Sequence, residues 1–136
     1  MPIAGVVADA NVLLSAVIGK AALRVFEEFE VPVHTTLFNR NEVLEYLPRL
    51  AGKYRLVQAT VELQLELLAL RVHPEEFYKD VLPWARATLG DRDPDDAHPL
   101  ALSRTLDLPL WSNDRDLQIP SVRCYTTAAL LKVLTG

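Results

Sequence analysis

The 136-residue sequence predicts an α/β protein whose parallel sheet is covered by helices on both faces. Short apolar runs alternate with longer segments in which apolar residues recur at helical spacing. Strands separated by helices imply βαβ crossovers, and such crossovers build parallel sheets. No internal repeat, low-complexity segment or linker rich in glycine and serine divides the sequence. We therefore expect residues 1–136 to form a single domain.

The first three predicted elements form a βαβ unit. Residues 3–8 are a short run rich in β-branched side chains, which is typical of a buried parallel strand. Helix-spaced apolar residues extend over 11–29, and we expect a break near Gly19. Residues 31–35 predict the second strand.

A helix and an amphipathic segment follow the second strand. Residues 37–47 predict a helix that ends at Pro48, because proline lacks the N–H that a helix interior needs. The amphipathic segment covers 60–70 and precedes a short apolar run over 70–73.

The second half of the chain continues the alternation. Residues 74–90 begin at a proline, end near a glycine and predict a helix. A second helix is predicted over 95–106, and strands are predicted over 108–112 and 122–125. Residues 127–134 predict the closing helix.

Two acidic residues follow predicted strands. Asp9 comes directly after the first strand, and Asp114 follows the strand predicted over 108–112. Because ligands bind beyond the carboxyl ends of the strands in open α/β sheets, we expect both carboxylates to lie at that rim. An N-cap of the following helix is the alternative role for Asp9 alone. Two such placements favour a shared site.

The segment RDPDDA carries three aspartates at the start of a predicted helix. Asp93 precedes a proline, and Asp95 and Asp96 enter the first turn, where acidic side chains are favourable. Capping accounts for one of them well and for a second tolerably. A third carboxylate repels its neighbours and favours a bound cation. We interpret Asp96 as a ligand, and Asp93 as a cap or a residue that supports the ligands.

Glu42 and Asp116 complete the set of acids. Glu42 lies on a predicted helix, where an exposed and solvated glutamate is the alternative interpretation. Clustered carboxylates repel one another unless a hard divalent cation lies among them, and Mg²⁺ and Mn²⁺ prefer oxygen ligands. We expect Asp9, Asp96 and Asp114 to come within metal-bridging distance. Metal-dependent hydrolysis of phosphodiester bonds is therefore our first interpretation.

Four short motifs resemble the acidic motifs of PIN domains in their order and spacing. They are VVADANVLLSA, NEVLEYL, RDPDDAHPLALS and LWSNDRDL, and they span nearly the whole chain. The similarity is closest to the PIN subgroup described as toxin components of toxin-antitoxin systems. The resemblance implies a three-layer α/β/α sandwich with a central parallel sheet of 4–5 strands. It also implies a Mg²⁺- or Mn²⁺-dependent endoribonuclease that hydrolyses RNA.

The resemblance also assigns roles to the acids. The catalytic residues, each of them a metal ligand as well, are Asp9, Glu42, Asp96 and Asp114. Asp116 is a further metal ligand, at the position where the family often has a fifth acid. PIN domains usually have threonine after the first aspartate, whereas this sequence has Ala10, and Asn11 keeps the following position.

Substrate contacts are predicted beside the acids. Ser112 and Asn113 can donate hydrogen bonds to a phosphate, with the shaping of the turn beside Asp114 as the alternative. Arg115 is a cation suited to phosphate, and a local ion pair is the alternative. Asn11 is assigned to the substrate as well.

Composition narrows the class of protein. The single cysteine, Cys124, excludes a disulfide or a thiolate zinc site within one chain. The apolar start lacks the positive region of a signal peptide, so we expect a soluble, cytoplasmic protein with no membrane partner. The net charge of −4 disfavours unassisted binding of nucleic acid. Divalent cations bound in the acidic cleft would neutralise much of the negative charge that opposes such binding.

The expected partners are an RNA substrate, an antitoxin protein and a second copy of the chain, since PIN-like proteins often form homodimers through helices. The alternative is a catalytically inactive PIN-fold module that serves as a scaffold or binding surface. A phosphatase is disfavoured because Asn11 stands where a second aspartate of an Asp-x-Asp nucleophile would be needed. We interpret His34, His73 and His98 as surface or partly buried residues, because metal-activated water needs no histidine base.

Overall fold

Residues 3–136 are described in a computed structural model. Their core is a five-stranded parallel sheet in the order β3-β2-β1-β4-β5. In the register of the central strands, Val7 of β1 pairs with His34 on one side and Leu110 on the other. The predicted parallel sheet is confirmed. Its strands are β1 Val6–Ala8, β2 Val33–Thr36, β3 Leu70–His73, β4 Leu110–Trp111 and β5 Cys124–Tyr125.

Seven α-helices lie among residues 3–136, joined in places by short 3₁₀ turns. The break expected near Gly19 is present, because the predicted segment 11–29 forms two helices and Gly19 has a φ of +80°. The helices are α1 Ala10–Val17, α2 Ala22–Glu28, α3 Leu37–Tyr54, α4 Gln58–Leu67, α5 Leu82–Leu89, α6 Ala97–Leu106 and α7 Thr127–Thr135.

Two apolar cores lie on opposite faces of the sheet. Val6 and Ala8 of β1 pack into one core, formed mainly with α1, α2, α3, α4 and α7. Val7, between them in sequence, packs into the other core with α5 and α6. Successive side chains of a strand point to opposite faces, so one buried strand serves both cores. The result is the α/β/α sandwich implied by the resemblance to PIN domains.

The prediction that Pro48 ends a helix is wrong. The α3 helix continues through Pro48 to Tyr54 and ends at Arg55, whose φ is 54°. Leu47 and Leu50, on either side of the proline, pack into the core and hold the helix in place. The proline removes the hydrogen bond to the carbonyl of Leu44, a residue that is 39% exposed. Packing therefore outweighs the local preference.

The prediction of one helix over 74–90 is also wrong. Two 3₁₀ turns, Glu75–Phe77 and Lys79–Val81, precede α5. Tyr78 lies between the turns and is buried, and its hydroxyl is 2.8 Å from Nδ1 of His98 on α6. This long-range contact holds the chain in the shape of two turns. Only the last part of the segment is α-helical.

Among the helices of residues 3–136, none combines the length and the apolar character that crossing a bilayer requires.

Candidate metal centre

An acidic cleft of about 140 Å³ lies beyond the carboxyl ends of β1 and β2. Asp9 follows β1 directly, and Asp96 immediately precedes α6. Glu42 lies in the second turn of α3, which begins at the end of β2. The residues that line this acidic cleft are Asp9, Ala10, Asn11, Asn39, Glu42, Asp93, Asp95 and Asp96.

Asp9 is both a helix cap and a wall of the cleft. One carboxylate oxygen accepts a hydrogen bond from the backbone N–H of Val12 at 2.9 Å, and the other accepts one from the Ser112 hydroxyl. The residue is 4% exposed. Burial raises the pKa of Asp9, the two hydrogen bonds act against this rise, and the charge of Asp114 adds to it.

Ser112 lies beneath the cleft and is fully buried. Its hydroxyl donates to Asp9 and accepts a hydrogen bond from the backbone N–H of Asp114 at 3.0 Å. Its only proton is therefore used by the protein, in a contact that orients Asp9. This contact gives Asp9 a hydroxyl partner, although Ala10 replaces the threonine expected next to it in sequence.

Glu42 is partly buried and has a side-chain donor at its carboxylate. The amide nitrogen of Asn39 donates to Glu42 Oε1 at 2.8 Å. Asn39 is 3% exposed and is itself held by Thr36. Burial raises the pKa of Glu42, the bond from Asn39 opposes that rise, and the nearby acids Asp95 and Asp93 add to it.

Asp96 has a buried carboxylate oxygen, Oδ2, that accepts no hydrogen bond. Burial is the largest cause that raises the pKa of Asp96 to about 7. The charges of neighbouring carboxylates raise it further. A buried oxygen without a donor is costly, and the same is true of a carboxylate among like charges. The carboxylates that act on Asp96, in decreasing order of effect, are Asp114, Asp93, Asp9 and Asp116.

Asp93 has the capping role expected from its position. Its side chain accepts a hydrogen bond from the backbone N–H of Asp95 at 2.9 Å and begins the turn Pro94–Asp96. This turn leads directly into α6. Asp96 makes no such cap bond at the start of α6.

Asp114 and Asp116 flank the cleft without lining it. Asp114 accepts a hydrogen bond from the backbone N–H of Asp116 at 2.9 Å and caps the turn Arg115–Leu117. Asp116 lies 4.0 Å from the guanidinium of Arg92. Both carboxylates are still close enough for their charge to raise the pKa of Asp96.

The predicted substrate residues differ in their surroundings. Asn11 is exposed and lines the cleft, and Arg115 is exposed beside Asp114. Asn113 is bound to the start of α7, because its oxygen accepts from the backbone N–H of Thr127 at 2.8 Å and its nitrogen donates to the Thr127 hydroxyl at 3.1 Å. This arrangement matches the turn-shaping alternative for Asn113.

Comparisons with known proteins agree with this geometry. The sequence model described as PIN domain matches residues 7–135. This chain belongs to the PIN domain family. Among solved structures, it is similar to a chain from a toxin-antitoxin complex from Klebsiella pneumoniae, with a TM-score of 0.67 and 19% sequence identity. The similarity covers 90% of this chain and 98% of that chain, and it shows a shared fold. No curated protein matches the sequence.

The acids of this PIN domain suit a divalent cation chemically. Among residues 3–136, no three side chains of His, Cys, Asp or Glu form a complete set of metal ligands. The cleft nevertheless places hard oxygen donors together, and Asp96 Oδ2 lacks any other partner. Magnesium often keeps several waters and takes only one or two protein carboxylates. The residues present therefore fit a partly hydrated ion.

The histidines do not line the cleft. His34 and His98 are more buried than expected, at 8% and 6% exposed. His34 Nδ1 lies 2.9 Å from His73 Nε2, and the ring of His98 stacks on Phe38. These contacts give the rings structural roles.

Sequence reasoning missed Asn39 and Thr36. Asn39 precedes Glu42 by three residues, so both occupy one face of α3, and that spacing was a usable signal. Thr36 caps the same helix, which a threonine at the end of a predicted strand also indicates. The bond from Asn39 to Glu42 depends on both positions.

Proposed function

We propose that this PIN domain is a ribonuclease that hydrolyses RNA phosphodiester bonds with Mg²⁺ or Mn²⁺. One observation carries this proposal most strongly, namely the buried Asp96 oxygen that has no donor and lies among other acids. Such an oxygen is stabilised when a cation occupies the cleft. PIN domains are generally nucleases, and the position of the acids at the carboxyl rim of the sheet supports the same chemistry.

The residues that would hold the ion are those whose carboxylates line the cleft, namely Asp9, Glu42 and Asp96. Asp114 and Asp116 would support it through their charge from the flank. When bound, a divalent cation supplies the Lewis acidity that activates water and offsets the negative charge on the scissile phosphate.

The chain itself positions these acids. Ser112 and the backbone N–H of Val12 fix both oxygens of Asp9, so the carboxylate has one orientation. Asp96 contributes an oxygen that no protein donor uses. We assign Asn11 and Arg115 to the RNA, because both are exposed and each adjoins an acid of the site. Ser112 and Asn113 support the turn that carries Asp114.

A toxin role with an antitoxin partner is also proposed. It is supported by family membership and by the fold shared with a chain of the Klebsiella pneumoniae toxin-antitoxin complex. A soluble, cytoplasmic location follows from this role, since RNA substrates and a protein antitoxin would be met there.

An inactive scaffold remains the second candidate. It is favoured by the lack of a complete ligand set among residues 3–136. In that case the acids would serve only as caps, surface charges or a structural ion site, and adding Mn²⁺ would produce no RNA cleavage.

Cleavage of a fluorescent RNA reporter separates the two candidates. We expect cleavage by purified protein in Mn²⁺ buffer, none in EDTA, and recovery when Mn²⁺ is restored. The reporter should contain both single-stranded and paired segments, so that either substrate is available. Activity that is equal with and without EDTA would contradict the metal-dependent mechanism.

We expect the protein to form a homodimer through α4. Leu63 and Leu67 lie one turn apart on this helix and are 58% and 69% exposed. Burying such side chains in an interface is favourable. Light scattering should give twice the 15.2 kDa chain mass, and Leu67→Glu should give the monomer mass.

Val133→Glu provides the control for the dimer. Val133 is another exposed apolar residue, 42% exposed, but it lies on α7. This variant should keep the dimer mass. A wild-type protein that has the monomer mass at micromolar concentration would show that the α4 interface is wrong.

A further inference from the structure

A short chain of hydrogen bonds leads from the end of β2 to Glu42. The Thr36 hydroxyl donates to Asn39 Oδ1 at 2.6 Å and accepts from the backbone N–H of Asn39 at 2.9 Å. The amide nitrogen of Asn39 then donates to Glu42 Oε1 at 2.8 Å. Thr36 and Asn39 are buried, so water does not compete for these bonds.

The network determines which way the Asn39 amide points. Thr36 has one hydroxyl proton, and its oxygen already accepts from the backbone of Asn39. That proton is directed to the amide oxygen of Asn39. The amide nitrogen must then face Glu42, where it meets an acceptor. Reversing the amide would place its nitrogen against a donor and its oxygen against a carboxylate.

The surroundings of Glu42 make this donor important. Asp93 and Asp95 line the same cleft and repel the Glu42 carboxylate. The amide of Asn39 donates a hydrogen bond that stabilises the ionised form of this carboxylate. Without this bond, the Glu42 side chain would favour rotamers that turn it away from the other acids and toward solvent.

Thr35, the residue before Thr36, holds the end of the neighbouring strand β1. The hydroxyl of Thr35 is fully buried and donates to the backbone carbonyl of Ala8 at 3.0 Å. Ala8 directly precedes Asp9. The two consecutive threonines thus fix the end of β1, where Asp9 begins α1, and the start of α3, which carries Glu42. Two consecutive residues at the end of β2 therefore set the relative position of two acids.

We propose that Asn39, held by Thr36, is a positioning residue that keeps Glu42 directed into the cleft toward a bound cation. This role rests on the proposed function, because it concerns the same ion. We assign Asn39 to positioning and not to the ligands, because its nitrogen faces Glu42 and its oxygen faces Thr36. Replacing Asn39 keeps every acidic residue in the chain but frees the Glu42 side chain to turn away from the cleft.

Metal affinity tests this role without relying on cleavage. Mn²⁺ binding to EDTA-stripped protein is measured by calorimetry for the wild type and Asn39→Leu, which keeps the branched shape of the side chain but lacks the amide. We expect binding to weaken about 10–100-fold in the variant, the usual cost of losing a partner that orients a metal ligand. Circular dichroism confirms the fold.

Gln58→Leu is the matched control. Gln58 makes the same kind of bond, from its amide nitrogen to Glu62 at 2.9 Å, but on the exposed surface of α4. The loss of this bond should leave Mn²⁺ affinity unchanged.

Thr36 is tested in the same way. We expect Thr36→Val to weaken Mn²⁺ binding, and Thr36→Ser, which keeps the hydroxyl, to retain it.

A double-mutant cycle with Glu42→Gln decides whether Asn39 acts through Glu42. In the Glu42→Gln background, Asn39→Leu should have almost no further effect on Mn²⁺ affinity. A full additional loss would overturn the positioning role, as would wild-type affinity in folded Asn39→Leu. If Asn39→Leu fails to fold, Thr36→Val decides, and wild-type affinity there overturns the role. A wild-type protein that binds no Mn²⁺ would instead overturn the proposed function itself.

Discussion

Asp9→Asn is expected to slow RNA cleavage by roughly a thousand-fold or more while the fold stays intact. Asparagine keeps the size of the side chain, and its oxygen can still cap α1 by accepting from Val12. The change removes one negative charge from a group that lines the cleft. A cation is therefore held and oriented less well, and the loss appears in the cleavage rate.

Glu45→Gln is the control for this effect. Glu45 is an exposed glutamate on α3, about one helical turn beyond Glu42, and it does not line the cleft. Steady-state cleavage of a short RNA in Mn²⁺ buffer should give the wild-type rate for this variant. Cleavage by Asp9→Asn at the wild-type rate, with a normal circular dichroism spectrum, would favour the scaffold interpretation.

Asp96→Asn is expected to stabilise the metal-free protein by about 2 kcal/mol at pH 8, roughly half of what the full change in pKa would give, because Asp96 is partly exposed to solvent. The pKa of Asp96 is raised to about 7 in the fold from its ordinary value of 3.8. The folded state thus binds the proton more tightly than the unfolded chain. The ionised carboxylate destabilises the fold fully above pH 7, and this penalty disappears as the pH falls from 7 toward 4. The stabilising effect of the variant should disappear over the same window.

Chemical denaturation in EDTA at pH 5 and pH 8 measures this difference. Asp80→Asn, at an exposed aspartate, should show no comparable dependence on pH. Adding Mn²⁺ should reverse the order, because ligand binding stabilises the wild type by mass action and the variant holds the ion less tightly. Equal rises in melting temperature for wild type and Asp96→Asn would show that Asp96 does not hold the ion.

The sequence predicted the rim of acids because that prediction needs only local patterns. Asp9 follows an apolar run directly, and in a parallel sheet every strand ends at the same rim. The position of Asp96 at a helix start followed from its place at the end of a proline-containing turn. The order of strands and helices was therefore enough to predict that these residues lie at one end of the sheet.

The missing details depend on contacts between distant residues. The hydroxyl of Ser112 donates to Asp9, which is 103 positions away in the sequence. The LWSNDRDL motif alone therefore could not predict this hydrogen bond. The burial of Tyr78 against His98 replaced a predicted helix with two turns. Packing around Pro48 likewise outweighed its local preference. Each difference reflects tertiary contacts that local propensity does not contain.

Anomalous diffraction from crystals soaked in Mn²⁺ tests the metal centre most directly. We expect a peak in the acidic cleft, within coordinating distance of Asp9 or Asp96, and loss of that peak in Asp96→Asn crystals soaked in the same way. The peak would show that the acids hold a cation, as the proposed nuclease requires. A cleft without a peak at a Mn²⁺ concentration that supports RNA cleavage would contradict the account.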